Sequence, residues 1–181
     1  MFDWKKVWSK KGKLESQDLK LLNGYEKTSI NPEKVSKNIS KALGINKDTR
    51  VLEVGCGAGM IAQFLNCKYV GIDYSASLIE KHRRILNNEV YESEANKLKF
   101  KDKSFDCVFA YSVFQYFKDL DYAYSVIEEM KRVSKRSIFI GDLAINSHDT
   151  NHLLFKKSMF EKHLITEGYY NSDRFNVLIE L

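Results

Sequence analysis

Gly55, Gly57 and Gly59 fall at alternate positions where an apolar run ends, in Val51-Leu52-Glu53-Val54-Gly55-Cys56-Gly57-Ala58-Gly59. A buried strand running straight into a loop stripped of side chains lets a ligand lie against the backbone. The spacing is wrong for a dinucleotide, whose fingerprint needs a third glycine where this chain has Met60. No lysine followed by Ser or Thr closes the loop, so a triphosphate has no cradle there. Glu53 at the mouth of the strand would repel a pyrophosphate and complement a ligand bearing ammonium or sulfonium charge. Asp73 closes the next apolar run, Gly71-Ile72-Asp73-Tyr74-Ser75, where a carboxylate can accept both hydroxyls of a ribose. Tyr74 beside it offers an aromatic face to an adenine ring. Together the two motifs point to one adenosyl ligand carrying positive charge.

Such residues need a sheet to position them. Asn31-Pro32-Glu33 reads as a helix start, with a capping side chain, proline at the first helical position and an acid in the first turn. Val35, Ile39, Ala42 and Leu43 share a helical face, and Gly44 ends the run. From residue 50 short apolar runs alternate with amphipathic ones. Strands are expected at 50–55, 69–73, 89–92, 105–112 and 137–143, with helices at 60–65, 77–86 and 121–133. A further helix is expected over 156–166, and residues 174–181 alternate like a half-exposed terminal strand. This rhythm predicts a Rossmann-like, doubly wound α/β fold: a mostly parallel sheet with helices on both faces. Residues 1–181 read as one domain, with 1–45 a helical segment packing on or capping the core.

Carried by VLEVGCGAG (51–59), GIDYS (71–75), SEANKLKFKDKSFDCVFAYSVFQYF (93–117) and SIFIGDL (137–143), the sequence resembles the class I S-adenosylmethionine-dependent methyltransferases over roughly residues 35–143. The resemblance implies S-adenosylmethionine as cofactor, with S-adenosylhomocysteine as product. It implies a cofactor site drawn from Glu53, Gly55, Cys56, Gly57, Gly59, Asp73, Tyr74, Glu94, Ala95 and Tyr111. The glycines would meet the methionine and ribose part, Asp73 the ribose, Glu94 and Ala95 the adenine edge, and the Tyr111 backbone the ammonium group. Two positions depart from the family pattern: Glu94 stands where Asp is commoner, and Lys99 takes the usual proline position.

Methyl transfer from a sulfonium is an in-line displacement with a good leaving group, so the protein supplies alignment and desolvation rather than a covalent residue. A hydroxyl acceptor would gain from a general base. His148 and His152, in the loop after the last central strand, and Asp142 at that strand's end are the candidates. Gln115 and Tyr116 are expected acceptor contacts, whereas His82 and His163 fall on expected helices and read as structural. The aromatics Trp4, Trp8 and Tyr25 can either fold over the cofactor as a lid or cover the first helix, and the second reading is preferred.

The acceptor is expected to be a small molecule, with a sugar or glycan-precursor hydroxyl as the leading choice. The alternatives are a non-catalytic cofactor-binding scaffold and a protein or RNA methyltransferase. Base N-methylation is disfavoured because its D/N-P-P-Y/F tetrapeptide cannot exist in a chain whose one proline is Pro32. Cys107, inside an expected strand, does not serve a carbon-5 pyrimidine methylation. Cys56, Cys67 and Cys107 offer neither a C-x-x-C pair nor metal-ligand spacing, so no metal is expected. The net charge of +5 comes from residues 1–50, with 12 Lys/Arg against 6 Asp/Glu. Scattered lysines on a solvated helix explain it, and nucleic acid is an unlikely partner. No apolar run approaches the roughly 20 residues of a membrane helix, no secretory signal opens the chain, and a cytoplasmic protein is expected. Oligomeric state is not legible.

Overall fold

A computed structural model of the chain describes residues 2–147 and 149–181. In chain order its elements are α1 (Trp4–Gly12), α2 (Leu19–Leu22), α3 (Pro32–Leu43), β1 (Arg50–Val54), β2 (Lys68–Asp73), α4 (Ala76–Leu86), β3 (Glu89–Glu92), β4 (Phe105–Tyr111), α5 (Leu120–Val133), β5 (Ser134–Ala144), β6 (Leu164–Glu167) and β7 (Arg174–Glu180). All seven strands join one sheet in the order β3-β2-β1-β4-β5-β7-β6. The first five are parallel, and β7 pairs antiparallel with both β5 and β6. The doubly wound expectation holds.

Period-2 alternation along β1 separates two cores. Leu52 and Val54 face a cluster with Val108, Ile138 and the buried face of α5, namely Ala123, Val126, Ile127 and Met130. Val51 faces the opposite cluster, with Phe109, Phe139 and the Val35, Ile39 and Leu43 stripe of α3. The start of α3 is as its sequence demands: the Asn31 side chain accepts the Lys34 N–H at 3.0 Å and Pro32 takes the first turn, a cap worth about 1 kcal/mol. Gly44 ends the helix at φ 61°, where a Cβ would be strained.

Three expected elements differ. The helix expected over 60–65 is a single 3-10 turn, Ala62–Phe64. Met60, Ile61 and Ala62 are all buried, and β2 begins at Lys68, which leaves too little chain for a second turn. The helix expected over 156–166 is a 3-10 turn, Lys157–Phe160, followed by strand β6. There Leu164, Ile165 and Thr166 pair with Leu178, Val177 and Asn176, so sheet pairing outweighs a weak helical pattern. His163 accordingly sits in the turn before β6 rather than on a helix. Residues 174–181 are not half-exposed: β7 lies between β5 and β6, and Arg174, Phe175, Asn176, Val177 and Ile179 are buried.

Among the described residues no helix is long and apolar enough to cross a membrane.

Candidate active site at the strand ends

The parallel strands β1, β2 and β4 end side by side, and a cavity of about 500 Å³ opens over them, within the range of small-molecule sites. Glu53, Gly55, Gly57, Asp73, Tyr74, Glu94, Ala95, Tyr111 and Tyr116 line it. Nine of the sequence-predicted site residues are thus brought together from four segments of chain.

The glycine loop is held by its own backbone. The Gly55 and Cys56 N–H groups both donate to Ile72 O, at 2.8 and 2.9 Å. The Gly57 N–H donates to the Asp73 carboxylate at 3.0 Å, Ala58 to Asn23 Oδ1 at 3.3 Å, and Gly59 to Cys56 O at 3.0 Å. Every N–H of residues 55–59 is spent, so the loop has none to offer a phosphate. The wall beside the loop is carboxylate and aromatic, while Lys5 and Lys118 also line the cavity. Glu53, 3% exposed, accepts the Tyr69 hydroxyl at 2.6 Å. Burial raises its pKa to about 8, the Tyr69 hydrogen bond pulling it back and the Asp73 charge adding to the rise. Asp73 also accepts the Ser75 N–H at 2.8 Å. Burial raises it to about 6 against those backbone hydrogen bonds. Each carboxylate oxygen keeps a second lone pair, so two ribose hydroxyls can still be accepted. The Tyr74 hydroxyl is buried on this wall without a partner. A cationic adenosyl ligand fits this donor set; a nucleotide phosphate does not.

Several expected site residues lie elsewhere. A Cβ on Gly59 would come within 2.5 Å of Leu86 Cδ1 and 2.9 Å of the His82 ring. Gly59 does not line the cavity; its missing side chain lets the loop close onto α4, where His82 Nδ1 bonds Gly57 O at 3.1 Å. Burial lowers the His82 pKa to about 4, so the ring is neutral. Cys56, 1% exposed, packs with Ile79 and Val90 under β2 rather than on the cavity. Gln115 is turned inward: its Nε2 donates to Ser112 Oγ at 3.0 Å and its Oε1 accepts from Arg174 at 2.6 Å. Asp142 is 2% exposed and stands behind the cavity wall. His152 does not line the cavity; it stacks on Trp4, ring centroids 5.1 Å apart, and meets Tyr116 edge-on at 5.2 Å. His148 lies outside the described residues.

The N-terminal segment contributes more than the sequence suggested. Trp4, Trp8 and Tyr25 all line the cavity, and Trp8 and Tyr25 also pack with the cluster that holds the α3 stripe, so both roles expected of these aromatics are present. Trp4 and Trp8 meet Tyr116 edge-on at 4.7 and 5.0 Å. Lys5 reaches Glu94 at 3.2 Å across the mouth. Asn23 docks on the glycine loop, and a Cβ on Gly57 would meet its Nδ2 at 2.4 Å. The Asn23-Gly24 pair, with Gly24 at φ 78°, was the available signal for this turn.

Comparison with known proteins agrees with this geometry. Residues 52–139 match the methyltransferase domain family. A sterol 24-C-methyltransferase of Aspergillus fumigatus is 30% identical over 108 residues, which are 54% of this chain and 28% of that protein. The chain thus matches little more than a quarter of that curated relative's length. An S-adenosylmethionine-dependent methyltransferase from Aquifex aeolicus superposes with a TM-score of 0.67 at 23% identity, covering 99% of both chains. The magnesium protoporphyrin IX methyltransferase of Synechocystis, solved with bound S-adenosylmethionine, gives 0.65 at 15% identity over 99% of this chain and 97% of its own. The family match falls on the glycine loop and the strands that carry it, just under half of the chain, and with the shared fold it supports a methyltransferase domain of the class I type with S-adenosylmethionine as its cofactor.

Proposed function

We propose that the protein transfers a methyl group from S-adenosylmethionine to a hydroxyl of a small molecule. The observation that carries this is the pairing of a glycine loop with no spare N–H and a cavity walled by Glu53, Asp73 and aromatic rings. In this reading Asp73 holds the ribose, Tyr74 faces the adenine, and Glu94 with Ala95 lies at its edge. Glu53, Gly55, Gly57 and the Tyr111 backbone receive the methionine part.

Bound S-adenosylmethionine supplies an electrophilic methyl on a sulfonium. The chain's own work is alignment and exclusion of water. Asp73, fixed by the Gly57 and Ser75 N–H groups, orients the sugar. Glu53 offers negative charge to a cationic ligand in a setting where it is otherwise held neutral by burial. Trp4, Trp8 and Tyr116 shield the reacting end from solvent. A small-molecule acceptor suits a cavity already narrowed by three aromatic side chains of the N-terminal segment, and a sugar or glycan-precursor hydroxyl is the class the sequence favoured.

Calorimetric titration with S-adenosylmethionine and S-adenosylhomocysteine tests the reading. Binding of both in the micromolar range is the expected result, and no binding at millimolar ligand would end it. Turnover of the isolated chain separates an enzyme from a cofactor-binding scaffold.

A further inference from the structure

Behind the aromatic wall the fold buries a carboxylate that the cofactor reading does not use. β5 and β7 lose register between Ile140 and Leu143, and within this bulge Asp142 takes φ 64°. A left-handed backbone is strained for a non-glycine residue, and bulges next to functional sites re-aim side chains. The strained residue is held in place: its N–H donates to Asn176 Oδ1 at 3.0 Å, and Asn176 Nδ2 is itself anchored on Glu167 O at 2.7 Å. Strain and burial of a charge-bearing group both cost stability.

The carboxylate so aimed meets two phenols. Asp142 Oδ2 lies 3.5 Å from the Tyr25 hydroxyl and 3.3 Å from that of Tyr170, both placed to donate to it. Its Oδ1 is buried with no partner. The charged and titratable groups around it are Tyr25, Tyr170, Tyr111, Tyr116 and Arg174, with the Ser112 hydroxyl beside them. Burial raises the Asp142 pKa, with Arg174 and the three hydroxyls drawing it down, so the group is suited to gain a proton. Asp142 does not reach the cavity, but Tyr25, Tyr111 and Ser112 do. Tyr25 thus lines the cavity while its hydroxyl donates to the carboxylate behind the wall, and that hydroxyl oxygen keeps lone pairs to accept a further proton. Its own pKa is raised well above the usual value by burial and then by Asp142, so it is a neutral hydroxyl able to pass a proton on.

We propose that Tyr25 and Asp142 form a proton relay for the acceptor, and that the acceptor is a hydroxyl on an aromatic ring. This rests on the methyl-transfer reading above and narrows it. As the acceptor oxygen gains its methyl, its O–H bond breaks and the proton forms a new O–H bond at Tyr25 Oη. The proton originally on Tyr25 moves to Asp142 Oδ2, which ends neutral. The positive charge lost at sulfur balances the negative charge lost at Asp142, and no other reactant is needed. Two observations favour a phenol over the alkyl hydroxyl of a sugar. A phenol titrates near 10 and water-like hydroxyls near 16, so the phenol gives up its proton far more readily to any carboxylate. Trp4, Trp8 and Tyr116 line the same cavity and are themselves flat rings suited to stacking.

The test uses the full chain saturated with S-adenosylhomocysteine and two probes of one shape, phenol and anisole, which differ in the proton that can be donated. Phenol should bind the wild-type complex at least fivefold more tightly than anisole. Tyr25→Phe should erase that margin and leave anisole and S-adenosylhomocysteine affinities unchanged; Asp142→Asn should shrink it and serves alone if Tyr25→Phe does not fold. No preference for phenol in the wild type, or the same preference in both variants, overturns the relay. Failure of the wild type to bind S-adenosylhomocysteine is a different outcome and overturns the methyl-transfer reading beneath it.

Discussion

The Asp73 carboxylate accepts the Gly57 N–H at 3.0 Å, so the residue proposed to hold the ribose is also the clasp between the end of β2 and the glycine loop. Ligand binding and loop geometry are thereby one device, which shapes how substitutions there should behave.

Asp73→Ala should weaken S-adenosylmethionine binding by roughly 10- to 100-fold, since hydrogen bonds to a charged group are worth about 1.5–3 kcal/mol. It should also lower thermal stability, because the Gly57 and Ser75 N–H groups lose their acceptor. Calorimetry and a melting curve measure the two effects. An alanine variant that binds as the wild type does would contradict the assignment.

The glycines should separate by function. Gly59→Ala places a Cβ 2.5 Å from Leu86 Cδ1 at φ 97°, so it should destabilise the fold by about 1–3 kcal/mol through overpacking. Gly57→Ala, at φ 50°, pushes on the Asn23 amide docked on the loop and lies on the cavity lining, so it should cost cofactor affinity as well as stability, where Gly59→Ala costs mainly stability. Denaturant unfolding in parallel with cofactor titration distinguishes them.

Stability should carry an alkaline slope from Glu53. Its folded pKa of about 8 lies above its ordinary 4.5, so the neutral form is favoured by folding. The stabilisation is full below the unfolded value and is lost as pH climbs through about 8. Melting temperature should thus fall between about pH 5 and pH 8 by less in Glu53→Gln than in the wild type, since the slope lies between the unfolded and folded values. Equal slopes in both proteins would show that Glu53 does not titrate there.

Trp4 and Trp8 are the chain's two tryptophans, and both line the cavity. Adding S-adenosylhomocysteine should change the intrinsic fluorescence, with Trp4→Phe and Trp8→Phe each removing part of the signal. A spectrum indifferent to ligand would place the N-terminal segment away from the cofactor.

The sequence determined by itself whatever depends on local pattern. The apolar runs of β1, β2 and β4, the capped start of α3, and the Gly55–Gly59 and Asp73 pair were legible because strand alternation, cap chemistry and loop glycines act within a few residues of themselves. Tertiary structure decided what depends on partners far along the chain. Leu164–Glu167 became a strand because β7 offered it an edge, and the short stretch after Gly59 formed only one turn because β2 begins so soon. Gln115 was drawn inward by Arg174 and Asp142 was swung behind the wall by a bulge against β7. Tyr25 joined the site from 117 positions away. A hydrogen bond across such a separation leaves no periodic trace in the sequence, since its cost and gain are fixed only when the sheet brings both ends together.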